Sequence, residues 1–161
     1  MPWAPSIWNS PPNSSAGSGQ SDLRMHLVDT SVWVHALRPS GHPAIRGLLR
    51  PLILHGEVAV TEWALLELMT GLRAAERKES LLQWFAPIAR LSFEASWWED
   101  AWDLASRLRR EGITPTAADC LIATVALNHQ TVLVHCDADF ESMKSVVALA
   151  TLDWTHHLCS R

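Results

Sequence analysis

The sequence predicts an α/β fold with a central, mostly parallel β-sheet flanked by α-helices in three layers. Two observations carry that prediction. Short, apolar, β-prone runs alternate along the chain with longer segments of helical period, which is the pattern of βαβ units. The chain has 161 residues, 48% hydrophobic and 19% charged, a profile that suits one globular domain with its own core and leaves little room for a second.

Residues 1–24, "MPWAPSIWNSPPNSSAGSGQSDLR", are rich in Pro, Ser, Gly and Asn and lack any period. They read as a disordered extension, without the cationic start and apolar run of a signal peptide. Met25 directly precedes the first strand, residues 26–29, so it is a candidate start of translation. Residues 43–54 have helical spacing, with a break expected at Pro51. Residues 57–60 form a short strand ending at Thr61, an N-cap for a helix over 62–73. A charged helix follows over 75–85 and is stopped by Pro87. Residues 89–93 read as a strand or a connector. Ser96 is the expected cap of a long helix reaching Arg110, with Gly112 at its C′ position. "TPTAADCLIATVALNH" is a further helix starting near Pro115 or Thr116. Residues 131–135 and 146–150 are the last two expected strands. The domain is expected to span residues 25–155, leaving 156–161 as a short C-terminal tail.

Composition excludes several classes. At a formal net charge of −4 the protein cannot bind nucleic acid by bulk charge, so such binding would need a local basic patch or metal ions. The three cysteines, Cys120, Cys136 and Cys159, are widely spaced with no CxxC pair. That suits reduced thiols in a cytoplasmic protein better than a disulfide framework or a zinc site. No stretch is apolar enough over sufficient length to span a membrane.

The carboxylates carry the chemistry. In open α/β sheets ligands bind beyond the C-terminal ends of the strands. Asp29 ends the first strand, and Asp137 and Asp139 follow the strand over 131–135, so two strands deliver acids to one edge. Glu67 lies opposite the stripe of Leu65, Leu68, Met69 and Leu72, between Ala64 and Gly71, where small neighbours leave room for a ligand. Asp119 leads the face formed with Ile122, Ala123 and Ala126, where a lone carboxylate is costly to bury. Each acid has an ordinary alternative. Asp29 can make an Asx turn or cap a helix, and Glu67 can be a solvated helix residue. Asp119 can close a capping box with Thr116, and Asp137 and Asp139 can be turn residues. Taken together, oxygen-only ligands suit Mg²⁺ or Mn²⁺ and not zinc.

In this order, "LVDTSVWV", "ELMTG", "DCLIATVA" and "CDADF" resemble the PIN domain, and within it the VapC-type toxins of bacterial toxin–antitoxin pairs. The resemblance covers roughly residues 25–152. It implies a PIN-like fold and a metal-dependent endoribonuclease. Such an enzyme hydrolyses RNA phosphodiester bonds with a metal-activated water, leaving 5′-phosphate and 3′-hydroxyl ends. It places the family acids on Asp29, Glu67, Asp119 and Asp137, with Asp139 replacing or assisting Asp137, and a hydroxyl near the metal on Ser31. It implies Mg²⁺ or Mn²⁺ as cofactor, RNA as substrate, a VapB-type antitoxin as partner and a homodimer, with no membrane association. The chain departs from the family where a Thr or Ser commonly precedes the final acid and His135 and Cys136 stand instead. Arg38, Arg46 and Arg50 are candidate RNA-backbone contacts, as are Arg107, Arg109 and Arg110. A catalytically inactive PIN-like module that binds RNA or protein is the alternative.

Nine tryptophans are present, and Trp97, Trp98 and Trp102 crowd one helix. Adjacent Trp97 and Trp98 diverge by roughly 100° around the axis, so one of them is a candidate for a dimer interface or an antitoxin groove.

A chain beginning at Met25 is expected to keep the melting temperature and activity of the full chain, because the preceding residues carry no core-forming pattern. A large loss of either would show that the extension packs on the domain.

Overall fold

The computed structural model describes residues 25–38, 41–71 and 76–159. The expected N-terminal extension, residues 1–24, lies outside them. β1 (His26–Val28) occupies the centre of a five-stranded parallel sheet of order β3-β2-β1-β4-β5. Its neighbours are β2 (Val58–Val60) and β4 (Val132–His135), and the edges are β3 (Ala89–Arg90) and β5 (Thr151–Asp153). In register, Leu27 faces Ala59 on one side and Leu133 on the other. The chain first winds outward from β1 through β2 to β3, then returns to place β4 on the opposite side of β1. The reversal puts a topological switch point between the C-terminal ends of β1 and β4, where this class of sheet opens a crevice.

Alternation along the strands divides the interior into two cores, because successive side chains leave opposite faces of a strand. Val28 and Val134 enter one core, with Val58 and Val60, beneath α1 (Thr30–Leu37), α2 (Pro43–Leu54), α3 (Glu62–Thr70) and α4 (Glu76–Phe85). Trp33 and Phe85 anchor it, both fully buried, with ring centroids 4.8 Å apart in an edge-to-face contact. Leu27 and Leu133 enter the other core, beneath α5 (Trp98–Arg110), α6 (Ala117–Asn128) and α7 (Ala138–Met143), where Phe140 and Met143 are fully buried. After β5, a 3₁₀ turn over Thr155–Cys159 brings Leu158 against the first core.

Several elements differ from the expectations. The β-prone run Val32-Trp33-Val34 is helical, within α1. Asp29 caps that helix by accepting the Ser31 N–H, and Val32, Trp33, Ala36 and Leu37 bury a helical face that a strand would have split between two sides. Pro51 does not break α2. The carbonyl its missing N–H would have met belongs to Gly47, which is exposed, so water can serve that oxygen. Ser96 is not a cap: it lies inside a 3₁₀ turn, Ala95–Trp97, that leads into α5. Residues 146–150 are not a strand. Their apolar character serves the second core, against which Val146, Val147 and Leu149 pack, and the fifth strand forms at Thr151–Asp153 instead. The tryptophans at the start of α5 part: Trp97 lies in the preceding 3₁₀ turn, and Trp98 and Trp102 lie on the helix. Trp97 packs against the second core, whereas Trp98 and Trp102 are 44% and 64% exposed and stack on each other.

Gly112 ends α5 as expected, at φ +77°. Its N–H reaches the Arg109 carbonyl and the Ile113 N–H reaches that of Leu108, the paired bonds of a Schellman motif. Gly112→Ala forces a Cβ into left-handed backbone and is expected to destabilise the fold by about 1–2 kcal/mol, read from the urea midpoint. Any activity should be unchanged, since this turn carries none of the carboxylates.

Candidate active site

Asp29 follows β1 and is only 6% exposed. Its N–H donates to the Val134 carbonyl of β4 at 2.9 Å, which ties the acid to the strand across the switch point. One carboxylate oxygen, Oδ2, accepts from both the N–H and the hydroxyl of Ser31, at 2.8 and 2.5 Å. The Ser31 hydroxyl oxygen accepts in turn from the Cys136 N–H at 3.0 Å, just past β4. Ser31 therefore bridges the corners that follow the two central strands.

The other acids arrive from helix starts and one helix face. Asp119 closes a capping box at the N-terminus of α6: Thr116 accepts its N–H, and its Oδ2 accepts from the Thr116 N–H and hydroxyl at 2.8 and 2.6 Å. Asp137 caps α7, with Oδ1 accepting the Asp139 N–H at 2.9 Å. Glu67, half-buried on α3, accepts from the Thr30 hydroxyl at 2.5 Å. The local capping roles open for Asp29 and Asp119 are thus realised, Asp137 caps a helix where a turn residue was the ordinary expectation, and Glu67 is not a freely solvated side chain. Capping does not use up these groups. For Glu67, Asp119 and Asp137 the recorded bonds engage one oxygen, and the second accepts from no described residue.

Charge couples the cluster. Burial raises the pKa of Asp29 most, the Ser31 bonds pull it down, and the charge of Asp119 raises it further. Asp139 is also raised, by desolvation first and then by Asp137 and Asp119. Asp119 is therefore within electrostatic reach of both strand ends. The Cys136 thiol is pushed up to about 12 by burial, by Asp153 and by Asp29, so it is a protonated thiol and not a nucleophile. The ion pairs among the described residues join Arg90 to Glu62 and Lys144 to Glu141; neither involves these acids. Mutually repelling carboxylates with no cation paired to them among the described residues, and a donor set made only of oxygen, fit a hard divalent cation. As the side chains stand, no group of three His, Cys, Asp or Glu among the described residues is close enough to hold one.

The candidate RNA-contacting arginines divide. Arg46 is engaged inside the fold: its Nε donates to the Ala36 carbonyl at 2.8 Å and its Nη2 to that of Arg38, bracing α1 against α2. Arg38 and Arg50 are exposed. Arg107 donates to the Val146 carbonyl at 2.6 Å, and Arg109 and Arg110 are exposed at the end of α5. Three residues at the site escaped the sequence reading of roles: Thr30, which holds Glu67, and His135 and Glu141, which are bonded beside Asp137. For Thr30 the available signal was a second hydroxyl in the Asp-Thr-Ser turn.

The family model for the PIN domain matches residues 26–146. VapC ribonuclease Mb1587 of Mycobacterium bovis is 30% identical over 128 residues, which is 78% of this chain and 96% of that protein. Ribonuclease VapC11 of Mycobacterium tuberculosis matches to the same extent, at 30% over 128 residues. Among solved structures, FitAcB from Neisseria gonorrhoeae superposes with a TM-score of 0.69 at 24% identity, over 82% of this chain and 99% of that one. VapBC2 from Rickettsia felis, bound to a DNA fragment from their promoter, gives a TM-score of 0.67 at 20% identity, over 81% and 98% of the two chains. At these identities the structures speak to fold alone.

The raised pKa of Asp29 fixes the sign of a pH effect in the ion-free protein. Below the ordinary value of 3.8 the residue is neutral in the folded and the unfolded chain. As pH rises through the raised folded value, the folded chain must carry a desolvated charge and loses stability relative to a neutral residue there. Asp29→Asn, which keeps an acceptor for Ser31, is expected to melt above the wild type at neutral pH in EDTA. That advantage should disappear as pH falls to about 4. A wild type that melts as high as Asp29→Asn at pH 7 would mean that the Ser31 bonds fully offset the burial.

Proposed function

Since the chain belongs to the PIN domain family, we propose that it is a divalent-metal-dependent endoribonuclease acting as the toxin of a toxin–antitoxin pair. The observation that carries the reading is the charge-coupled set of Asp29, Asp119, Asp137 and Asp139 around the switch point between β1 and β4, with no cation among the described residues paired to any of them. The relatives named as VapC ribonucleases, matched over nearly their whole length, support the choice of RNA and of hydrolysis.

Asp29, Glu67, Asp119 and Asp137 would hold Mg²⁺ or Mn²⁺, with Asp139 beside Asp137. When bound, such an ion offsets the charge on the phosphoryl oxygens and makes water nucleophilic near neutral pH. The side chains of this protein provide the rest. Asp29 contributes a desolvated charge whose cost of burial a cation relieves, which favours binding. Thr30 orients Glu67, and Ser31 keeps the Asp29 and Cys136 corners at a fixed spacing. In the reaction the oxygen of water bonds to phosphorus and the P–O3′ bond breaks. The departing oxygen takes a proton, leaving a 3′-hydroxyl and a 5′-phosphate. A chain of net charge −4 can take RNA at such a site because cations reverse the local sign. Exposed Arg38 and Arg50 are the arginines of the first set left to meet the backbone.

A VapB-type antitoxin as partner, self-association and a cytoplasmic setting belong to the same reading. The VapC names of the curated relatives support the first. Exposed Trp63 and Trp98, beside a groove of about 190 Å³ lined by Leu91, Phe93 and Ile122, supply apolar surface suited to a protein partner. Among the described residues no helix is long and apolar enough to cross a membrane.

Two measurements test the reading. Mn²⁺ should raise the melting temperature of the wild type, since a ligand of the folded state stabilises it by mass action, and the rise should shrink in Asp29→Asn and Glu67→Gln. An unaltered rise in Glu67→Gln would remove Glu67 from the site. Asp119→Asn should abolish metal-dependent RNA cleavage while the fold persists, because asparagine can still accept from Thr116 and complete the cap. Undiminished cleavage by that variant would leave Asp119 a capping residue, and a wild type that neither cleaves RNA nor responds to Mn²⁺ would favour an inactive binding module.

A further inference from the structure

Building on the functional reading above, we infer that His135 is the positioning residue for the last acid of the site: its ring, gripped by Glu141, holds the backbone turn that presents Asp137. His135 ends β4 and is fully buried. A buried imidazole is costly unless its nitrogens are bonded, and here both are. Nδ1 accepts the backbone N–H of Asp137 at 3.2 Å. Nε2 lies 3.3 Å from Oε1 of Glu141. A nitrogen that accepts carries no proton, so the ring is the neutral tautomer with its hydrogen on Nε2, donated to Glu141.

Glu141 is itself fixed. Oε1 accepts from the Thr151 hydroxyl at 2.5 Å on β5, and Oε2 from Lys144 Nζ at 3.0 Å on the turn after α7. The ring also packs against fully buried Phe140, with centroids 5.2 Å apart. From Glu141 to Asp137 the contacts are continuous, and they join β4, α7 and β5. On the other side, the Ser31 hydroxyl takes the Cys136 N–H. The two consecutive N–H groups that follow β4 are thus held by two side chains, one from each corner of the switch point. The Asp137 carboxylate is left to cap α7 through Oδ1. A residue needed only to fill this space would be apolar, and leucine would serve. What histidine adds is the acceptor for Asp137 and the link to Glu141.

The test separates positioning from packing, using the full chain. His135→Leu fills the space without an acceptor. It should retain a cooperative melt while Mn²⁺ affinity by calorimetry falls about tenfold or more, the usual consequence of removing the support of a metal ligand. His135→Asn places Oδ1 where Nδ1 stood and cannot reach Glu141. It should melt lower than wild type yet bind Mn²⁺ within about threefold of it. This opposite ordering of stability and affinity is what a purely structural role would not produce. Equal Mn²⁺ affinity in wild type and His135→Leu would overturn the inference and leave the functional reading standing. Absence of Mn²⁺ binding in the wild type would overturn both. Nitrogen-15 NMR of the ion-free wild type at neutral pH gives a check that needs no variant: protonation on Nε2 is expected, and a proton on Nδ1 would overturn the contact at its source.

Discussion

The arrangement depends on one buried carboxylate. Asp29 stands at the end of the central strand, bonded through its N–H to β4 and through Oδ2 to Ser31, at a place where water contributes little. A charge there is tolerable only because local donors face it, and its elevated pKa reports that they do not fully compensate. The same residue begins α1, whose buried Trp33 donates its indole N–H to the Val28 carbonyl one position earlier. Strand end, helix start and core anchor are therefore linked within a few residues.

The remaining acids repeat that economy. Asp29, Asp119 and Asp137 each begin or lie in the first turn of a helix, so three positive helix ends accompany three negative side chains. A local capping bond is made by each of these three in the structure and accounts for each by itself. What local capping does not explain is why the start of α6 comes within electrostatic reach of the other two helix starts. That follows from sheet order: β1 and β4 are neighbours although more than a hundred residues separate them, and α6 begins close enough for Asp119 to act on both strand ends. The bonds of Thr30 to Glu67 and of Ser31 to Cys136 then join α3 and β4 to the Asp29 corner.

Much of this was legible in the linear sequence because its signals are local. The parallel α/β class followed from alternating strand and helix patterns, and Thr61 and Gly112 marked boundaries through chemistry confined to one turn. The reading failed where burial and tertiary contact override local preference. Val32-Trp33-Val34 has the composition of a strand and forms a helix, since a cap at Asp29 and a single buried face outweigh β-propensity. Residues 146–150 are apolar for packing, not for pairing, and period alone cannot separate the two over five residues. Arg46 resembled a surface cation until the carbonyl ends of α1 came to lie against it.

The sequence by itself determined the class of fold, the set of acidic residues and their oxygen-only chemistry, because these depend on composition, spacing and caps within a few residues. Only the tertiary structure decided that the charge of Asp119 acts on both Asp29 and Asp139, that Asp29 is desolvated while Asp139 is exposed, and that Thr30 and Ser31 face different partners. It alone decided that His135 turns its two nitrogens to Asp137 and Glu141. The physical reason is range. Propensity and capping act along the chain over one or two turns, whereas desolvation and charge coupling depend on what the sheet order brings alongside, and that information lies in no single segment.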